Sequence, residues 1–295
     1  MAVLLTCHNR RESTRRCLEL LYAQKGIVDI ELNVIIVDDG STDGTSQMIR
    51  TVFPEATLIQ GDGNLYWNHG MRKAFEYALP KNYDFFLWVN DDTYLAADAL
   101  SRLLQAYEDA KRLAFTPTII IGSVKDPRTG RFSYGGIEKG NQWNPLKLKR
   151  QPPEKDALRR CFTMNGNFVL IDKEAAHRTG NLDKHFQHRW GDFDYGMRAF
   201  RKGVNLWIAP GYFGDCKIND VREVWKDPLV PFSRRFRVFN SIKGFKFNEW
   251  LLYSYRHGGS LWFLNFLNPY IDLFFPRLKS TLRAYRKVNL KPLKI

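Results

Sequence analysis

The stretch Asn33–Val37, NVIIV, is β-branched, almost wholly apolar, and stops abruptly on DDGSTDGT. A strand without polar alternation has no face for water, so it must lie in a sheet covered on both sides. The surrounding sequence supplies the cover. VLLT (Val3–Thr6) reads as a first strand, followed by a helix around Glu12–Gln24. DDGSTDGT leads into a helix running to about Arg50, ATLIQ forms a third strand, and a helix continues through Met71–Ala78. FFLWV is a fourth strand, after which Ala99, Leu100, Leu103, Leu104 and Tyr107 fall at helical spacing. This βαβαβαβα order predicts an α/β protein with a mostly parallel, doubly wound sheet and helices on both faces. TIII and NFVLI (Asn167–Ile171) read as further strands. Asn141–Arg160, rich in Lys, Arg and Pro and without periodicity, reads as a mobile loop. WGDFDYGMRAFRKG reads as a helix entered through Asp192 and stopped by Gly203.

Charge divides the chain in two. From Cys216 to Ile295 there are 16 Lys and Arg against 5 Asp and Glu, a net +11 of the total +14, and 16 of the 42 aromatic residues. We therefore expect an α/β domain over 1–215 and a basic, aromatic, mainly helical extension over 216–295. GGSLWFLNFLNPYIDLFFPRL is broken by Asn265, Asn268, Pro269, Asp272 and Pro276, so it is no membrane span. Its aromatic residues, flanked by Arg and Lys, suit either a membrane surface or a packed helical subdomain with a solvated basic face. The four cysteines lack any paired spacing and the start lacks a signal peptide, which points to a reducing, cytoplasmic setting.

In open α/β sheets, ligands bind beyond the carboxyl ends of the strands. Those ends carry Thr6-Cys7-His8-Asn9, Asp38-Asp39-Gly40-Ser41 and Asn90-Asp91-Asp92. Each alone is an ordinary polar turn; three on one rim exceed what turns require. A carboxylate such as Asp39 can accept from a base N–H or a ribose hydroxyl. Asp91 and Asp92 offer hard oxygens suited to Mg²⁺ or Mn²⁺, an ion that keeps waters and bridges to phosphates. Neither a Walker-A sequence nor GxGxxG follows the first strand, which disfavours kinase-type and dinucleotide sites.

In order along the chain, TCHNR, VIIVDDGSTDGT, NDD and GDFDYGMRAFRKG resemble family 2 glycosyltransferases of the GT-A fold. The likeness is nearest to the bacterial rhamnosyltransferase-like enzymes of polysaccharide synthesis and covers Ala2 to about Gly211. It implies inverting transfer from a nucleoside-diphosphate sugar to a hydroxyl of a glycan or polyprenyl-diphosphate-linked acceptor. Together with the basic, aromatic C-terminal stretch, this leads us to expect a peripheral setting at the inner face of the cell membrane. Thr6 and His8 would border the base and Asp39 would pair with it, with Asn9, Asp38 and Asn90 in the same donor-side clusters. GDGNLYWNHGM (Gly61–Met71) resembles the subgroup's donor-side loop, where Asn64 and Trp67 would meet the donor; Trp67 also reads as a core residue. Asp91 and Asp92 would be the DxD-type motif, Asp92 the principal metal ligand. Asp192 matches the family's base, with Asp194 as competitor; an Asp there also reads as a helix N-cap. Asn165, Asn167, Trp190 and Asp194 would face the acceptor.

Two positions depart from the family pattern. Gly191 stands where a Glu usually precedes the base, and Asp215-Cys216 stands where many relatives place a metal-binding His. The third protein ligand therefore stays open. Two rivals come from other classes. A nucleotidyltransferase would need a Gly- and Lys/Arg-rich triphosphate loop after the first strand, and TCHNRRES lacks the glycines. A nucleic-acid-binding protein would use the net charge, but its basic residues are mixed with large apolar ones and form no recognised motif, so no nucleic-acid partner is expected.

Overall fold

A computed structural model describes residues 1–276 except 28, 142, 143 and 220–223. The chain divides into two compact units, one made of Met1–Lys139 and Leu148–Asn219, the other of Gly140–Lys147 and Asp220–Ile295. Of the extension expected over 216–295, residues 220–223 and 277–295 lie outside the described residues.

The first unit opens with β1 (Ala2–Cys7), α1 (Arg11–Tyr22), β2 (Asn33–Asp38), α2 (Thr45–Val52), β3 (Thr57–Gln60), α3 (Tyr66–Ala78) and β4 (Phe85–Val89). There follow β5 (Tyr94–Leu95), α4 (Ala99–Leu113), β6 (Thr118–Lys125), β7 (Phe132–Tyr134) and β8 (Gly136–Glu138). Next come β9 (Lys149–Arg150), β10 (Arg159–Arg160), β11 (Thr163–Met164), β12 (Phe168–Asp172), α5 (Lys173–Thr179), α6 (Gly191–Arg201) and β13 (Asn205–Asp215).

The main sheet runs β10-β13-β6-β12-β4-β1-β2-β3. Strands β3, β2, β1 and β4 are parallel, as the βα alternation requires. β12 lies antiparallel between β4 and β6, so the far half of the sheet is mixed. An apolar run reports burial but not direction, and NFVLI reads the same either way. The antiparallel setting brings Asn167, which precedes β12, to the rim where β4 ends: the Asn90 amide donates to the Asn167 carbonyl at 3.1 Å.

Successive residues of β1 and β2 feed opposite faces, as the pleat dictates. Val3, Leu5, Val34 and Ile36 join Leu18 and Leu21 of α1 and Leu100 and Leu103 of α4. Ala2, Leu4, Ile35 and Val37 join Met71 and Phe75 of α3 and Tyr195 of α6 on the other side. At about 1.5–3 kcal/mol for each large aliphatic side chain buried, these two layers hold the unit together.

Two expectations need correction. Asn141–Arg160 is not structureless throughout: β9 pairs with β8 and β10 with β13, although Gln142 and Trp143 lie outside the described residues. Two-residue strands carry too little periodicity to be read from sequence. The third helix begins at Tyr66, not near Met71, so Trp67 sits in a helix's first turn and not in a loop.

In the second unit, α7 (Phe232–Phe239), α8 (Phe247–His257) and α9 (Trp262–Phe274) enclose a small core of Trp225, Phe239 and Leu273, lined by Val238, Phe245 and Tyr270. Buried Arg235 donates from Nη1 to the Leu273 carbonyl at 2.8 Å. Among the described residues no helix is long and apolar enough to cross a membrane. Phe232, Phe236, Phe247, Phe274 and Phe275 are nonetheless exposed, and an open groove of about 390 Å³ is lined only by Phe247, Phe266, Leu267, Tyr270, Ile271, Phe274 and Phe275.

Candidate active site

The site is built outward from the ends of β1, β2 and β4. Asp39 is buried, and its carboxylate accepts three backbone amides of one loop: Gly63 (2.9 Å) and Leu65 (3.1 Å) at Oδ1, Tyr66 (2.9 Å) at Oδ2. Leu65, the residue flanking α3, offers no capping side chain, so Asp39 satisfies the helix start from across the fold. That is why α3 starts early. Space for the loop comes from glycines: a Cβ on Gly61 would meet Asp39 Oδ1 at 2.7 Å, and one on Gly40 would meet the Gly63 amide nitrogen at 2.8 Å.

Asp38 is fully buried and internal to its turn, accepting from the Ser41 amide at 3.0 Å and from the Ser46 hydroxyl. Thr6 is buried against Gly70 of α3, its hydroxyl donating to the Val37 carbonyl at 3.2 Å. His8 and Asn9 are exposed. His8 Nδ1 lies against the Asp39 carbonyl, and Asn9 is knitted to the next strand end through Ser41 Oγ and the Thr42 amide, both at 2.8 Å. Asn64 is exposed at the tip of the donor-side loop, its carbonyl accepting from Gln187 Nε2 at 3.2 Å.

Trp67 connects this side to the end of β4. Its Nε1 donates to Asn90 Oδ1 at 2.7 Å, and its ring fills the place a side chain would need at Gly166. The Gly166 amide donates to Asp192 Oδ2 at 3.1 Å, while the Phe193 amide donates to Asp192 Oδ1 at 2.8 Å. Asp192 is crowded by protein yet partly open to solvent. Burial pushes its carboxyl up to about 6, against the opposing pull of the Gly166 and Phe193 amides and of Asn165. The helix flank is Trp190, in a left-handed conformation at φ 75°, so Asp192 lies in the first turn and not at the N-cap. Asp194, its competitor, is fully buried and ion-paired with Arg198 at 2.7 Å.

The unusual Gly191 has a steric cause. A Cβ there would run into Asn68 Oδ1, and the Asn68 side-chain amide stitches α3 to the carbonyls of Asp183 (2.8 Å) and Phe186. A residue with a side chain at 191 would push the two helices apart.

Asp91 and Asp92 share a single cation from the protein itself. Arg10 Nη1 lies 2.9 Å from Asp91 Oδ1 and 2.8 Å from Asp92 Oδ2. Asp91 is buried, which pushes its carboxyl up to about 7; Arg10 pulls the other way and Asp92 adds to the rise. Asp91 Oδ2 is buried without a hydrogen-bond partner. Cys216 Sγ lies 3.5 Å from Asp92 Oδ1 and accepts from Asn167 Nδ2 at 3.4 Å. Asp215 is exposed and away from this contact. All four cysteines are free and buried.

Two hard carboxylates, one with an orphaned buried oxygen, suit a Mg²⁺- or Mn²⁺-like ion that draws its other ligands from water and phosphate. Among the described residues no group of three His, Cys, Asp or Glu side chains is arranged to hold a metal. Among the described residues, Asp91 and Asp92 are the side chains that would hold such an ion, with Cys216 a poor match for a hard cation.

The structure thus brings Asp39, Trp67, Asn90, Asp91, Asp92, Asn167 and Asp192 into one connected network of contacts. Asp38, Thr6 and Asp194 are drawn into packing. Sequence reasoning passed over Arg10, Asn68 and Gly166. Arg10 stood in TCHNR as a cation one residue past a strand end, and its pairing with acids 81 and 82 residues away had no local signal.

The architecture is that of the GT-A glycosyltransferases. S. aureus TarS 1–349 superposes with a TM-score of 0.54 at 13% identity, over 99% of this chain and 75% of that one. Its complex with UDP gives 0.55 at 14%, over 97% and 76%. The chain belongs to glycosyl transferase family 2, whose family model matches residues 2–177. Among curated relatives, the glycosyltransferase YfnE of Bacillus subtilis (strain 168) is 25% identical over 197 residues, 65% of this chain and 47% of its own length. Chondroitin synthase of Escherichia coli is 26% identical over 229 residues, 69% of this chain and 32% of its own. The chain therefore spans less than half the length of either relative.

Proposed function

We propose that this protein transfers a sugar, with inversion, from a nucleoside diphosphate to an acceptor hydroxyl. The observation that carries the reading is the link Trp67–Asn90–Asn167 and Gly166–Asp192. It sets a lone, partly solvent-accessible carboxylate beside the strand end that bears Asp91 and Asp92. Asp192 takes the proton from the acceptor hydroxyl as that oxygen attacks the anomeric carbon; its raised affinity for protons suits a base working near neutrality. Asp194, neutralised by Arg198 in the interior, is left to hold the helix.

Asp91 and Asp92 would hold a divalent cation, whose chemistry is to neutralise charge on the departing nucleoside diphosphate. His8, Asn9 and the loop held by Asp39 form the donor side, a role in keeping with the UDP complex of TarS. Asn165, Asn167 and Trp190 form the acceptor side. The donor sugar we propose is rhamnose, on the resemblance of the motifs to that subgroup. The acceptor we propose is a polyprenyl-diphosphate-linked glycan at the inner membrane surface, supported by the exposed phenylalanines and the basic charge of the second unit.

The test pairs a thermal-shift panel of nucleoside diphosphates, with and without Mn²⁺, with the variant Asp192→Asn. The variant should lose transfer by roughly 10²–10⁴-fold while keeping nucleotide binding. No Mn²⁺-dependent shift with any nucleotide would remove the metal assignment, and lost nucleotide affinity in Asp192→Asn would move that residue out of the base role.

A further inference from the structure

The backbone around Arg10 is anchored on several sides, while its side chain is held by the two acids alone among the described residues. Asn9, at φ 49°, is tied to Ser41 and Thr42, the Arg10 carbonyl accepts from the Thr14 amide at 2.8 Å, and Ser13 Oγ pins the next turn to the Asp91 carbonyl at 2.9 Å. From that anchored base the guanidinium reaches across to both carboxylates, yet its side chain remains 44% exposed. Asp91 is only 7% exposed and Asp92 26%. A buried acid beside a second acid needs a counter-charge, and among the described residues Arg10 is the cation ion-paired with both.

The two oxygens it occupies, Asp91 Oδ1 and Asp92 Oδ2, belong to the carboxylate pair that would hold a divalent ion here. Guanidinium and ion cannot both sit on them, because like charges at such separations repel strongly. An arginine displaced from carboxylates would find a substitute in the diphosphate of the proposed donor, since its planar fork binds phosphate as well as it binds carboxylate. Arg10 also stands at the start of α1, on the rim where the donor side lies.

We propose that Arg10 is a positioning residue that neutralises the Asp91–Asp92 pair in the donor-free protein and passes to the donor's diphosphate when a divalent ion takes that pair. This rests on the transferase reading above and adds a coupling to it. The ion alone binds weakly because it must displace Arg10 without compensation. The ion and nucleoside diphosphate together bind strongly because the displaced guanidinium gains a new anion.

The test measures Mn²⁺ binding to the full chain, without nucleotide and then with UDP or dTDP, by calorimetry and by electron paramagnetic resonance of free Mn²⁺. In Arg10→Gln, Mn²⁺ affinity without nucleotide should rise about fivefold to tenfold, while nucleotide affinity at saturating Mn²⁺ should fall about tenfold. Arg10→Lys keeps the counter-charge but not the fork, and should leave Mn²⁺ affinity near wild type while weakening nucleotide binding severalfold. If Arg10→Gln fails to fold, Arg10→Lys carries the test alone. Unchanged or weaker Mn²⁺ binding in Arg10→Gln, or unchanged nucleotide binding in either variant, overturns the proposal. A wild-type protein that binds neither Mn²⁺ nor nucleotide removes the transferase reading along with it; a wild type that binds both, with both variants unaltered, removes only the role of Arg10.

Discussion

Replacing Asp39 by Asn tests whether one buried carboxylate holds the donor-side loop. The native group accepts three amides, two at Oδ1 and one at Oδ2. An Asn amide can turn its oxygen toward either set but not both, so at least one part-buried N–H loses its acceptor and meets another donor. A hydrogen bond to a charged group contributes about 1.5–3 kcal/mol, and the lost negative charge at the start of α3 about 0.3–1 kcal/mol more. The loop and first helical turn should therefore open more easily by about 2–4 kcal/mol. At about 1.4 kcal/mol per decade, that is a roughly 30- to 1000-fold rise in hydrogen exchange at Gly63, Leu65 and Tyr66. Amides of β1 and β2 should change far less, since their ladder is intact. Exchange at the three loop amides within threefold of wild type would show that Asp39 does not hold them.

Two further outcomes follow from the geometry. Gly191→Ala should destabilise the first unit by about 1–3 kcal/mol through overpacking against Asn68, seen as a lower urea midpoint, and Asn68→Ala in the same chain should restore part of it by removing the clashing side chain. The ratio kcat/KM should climb as pH rises through about 6 and then level off, because Asp192 must be ionised to accept a proton. The same shift has the opposite sign for stability. The folded chain holds a proton that the unfolded chain releases near 3.8, so stability should fall as pH rises from about 4 to about 6. Asp91 shifts the same way, so urea titrations of the wild type and Asp192→Asn across that range check it: the wild type should lose more stability than the variant, and parallel profiles would mean Asp192 does not contribute.

Much of the parallel half of the sheet was legible because its physics is local. VIIV (Val34–Val37) and FFLWV have no polar positions to face water, and the α4 spacing runs unbroken from Ala99 to Tyr107. The strand-end clusters were legible for the same reason: polar residues that close an apolar run must stand at its end. What escaped was set by distant partners. The early start of α3 depends on Asp39, 27 residues before Tyr66. The glycine at 191 depends on Asn68, and the conformation of the Asp91–Asp92 pair on Arg10. The direction of β12 was invisible because burial alone fixes no orientation.

That direction has a mechanical result. The ladder between β4 and β12 pairs Phe168 with Val89, and the Asn90 amide then bonds the Asn167 carbonyl one step further on. The strand end bearing the acids and the loop touching Asp192 are thus successive rungs of one interior zipper. Their spacing is inherited from a strand pair interior to the sheet, and thermal agitation can alter it only by prising that pair apart.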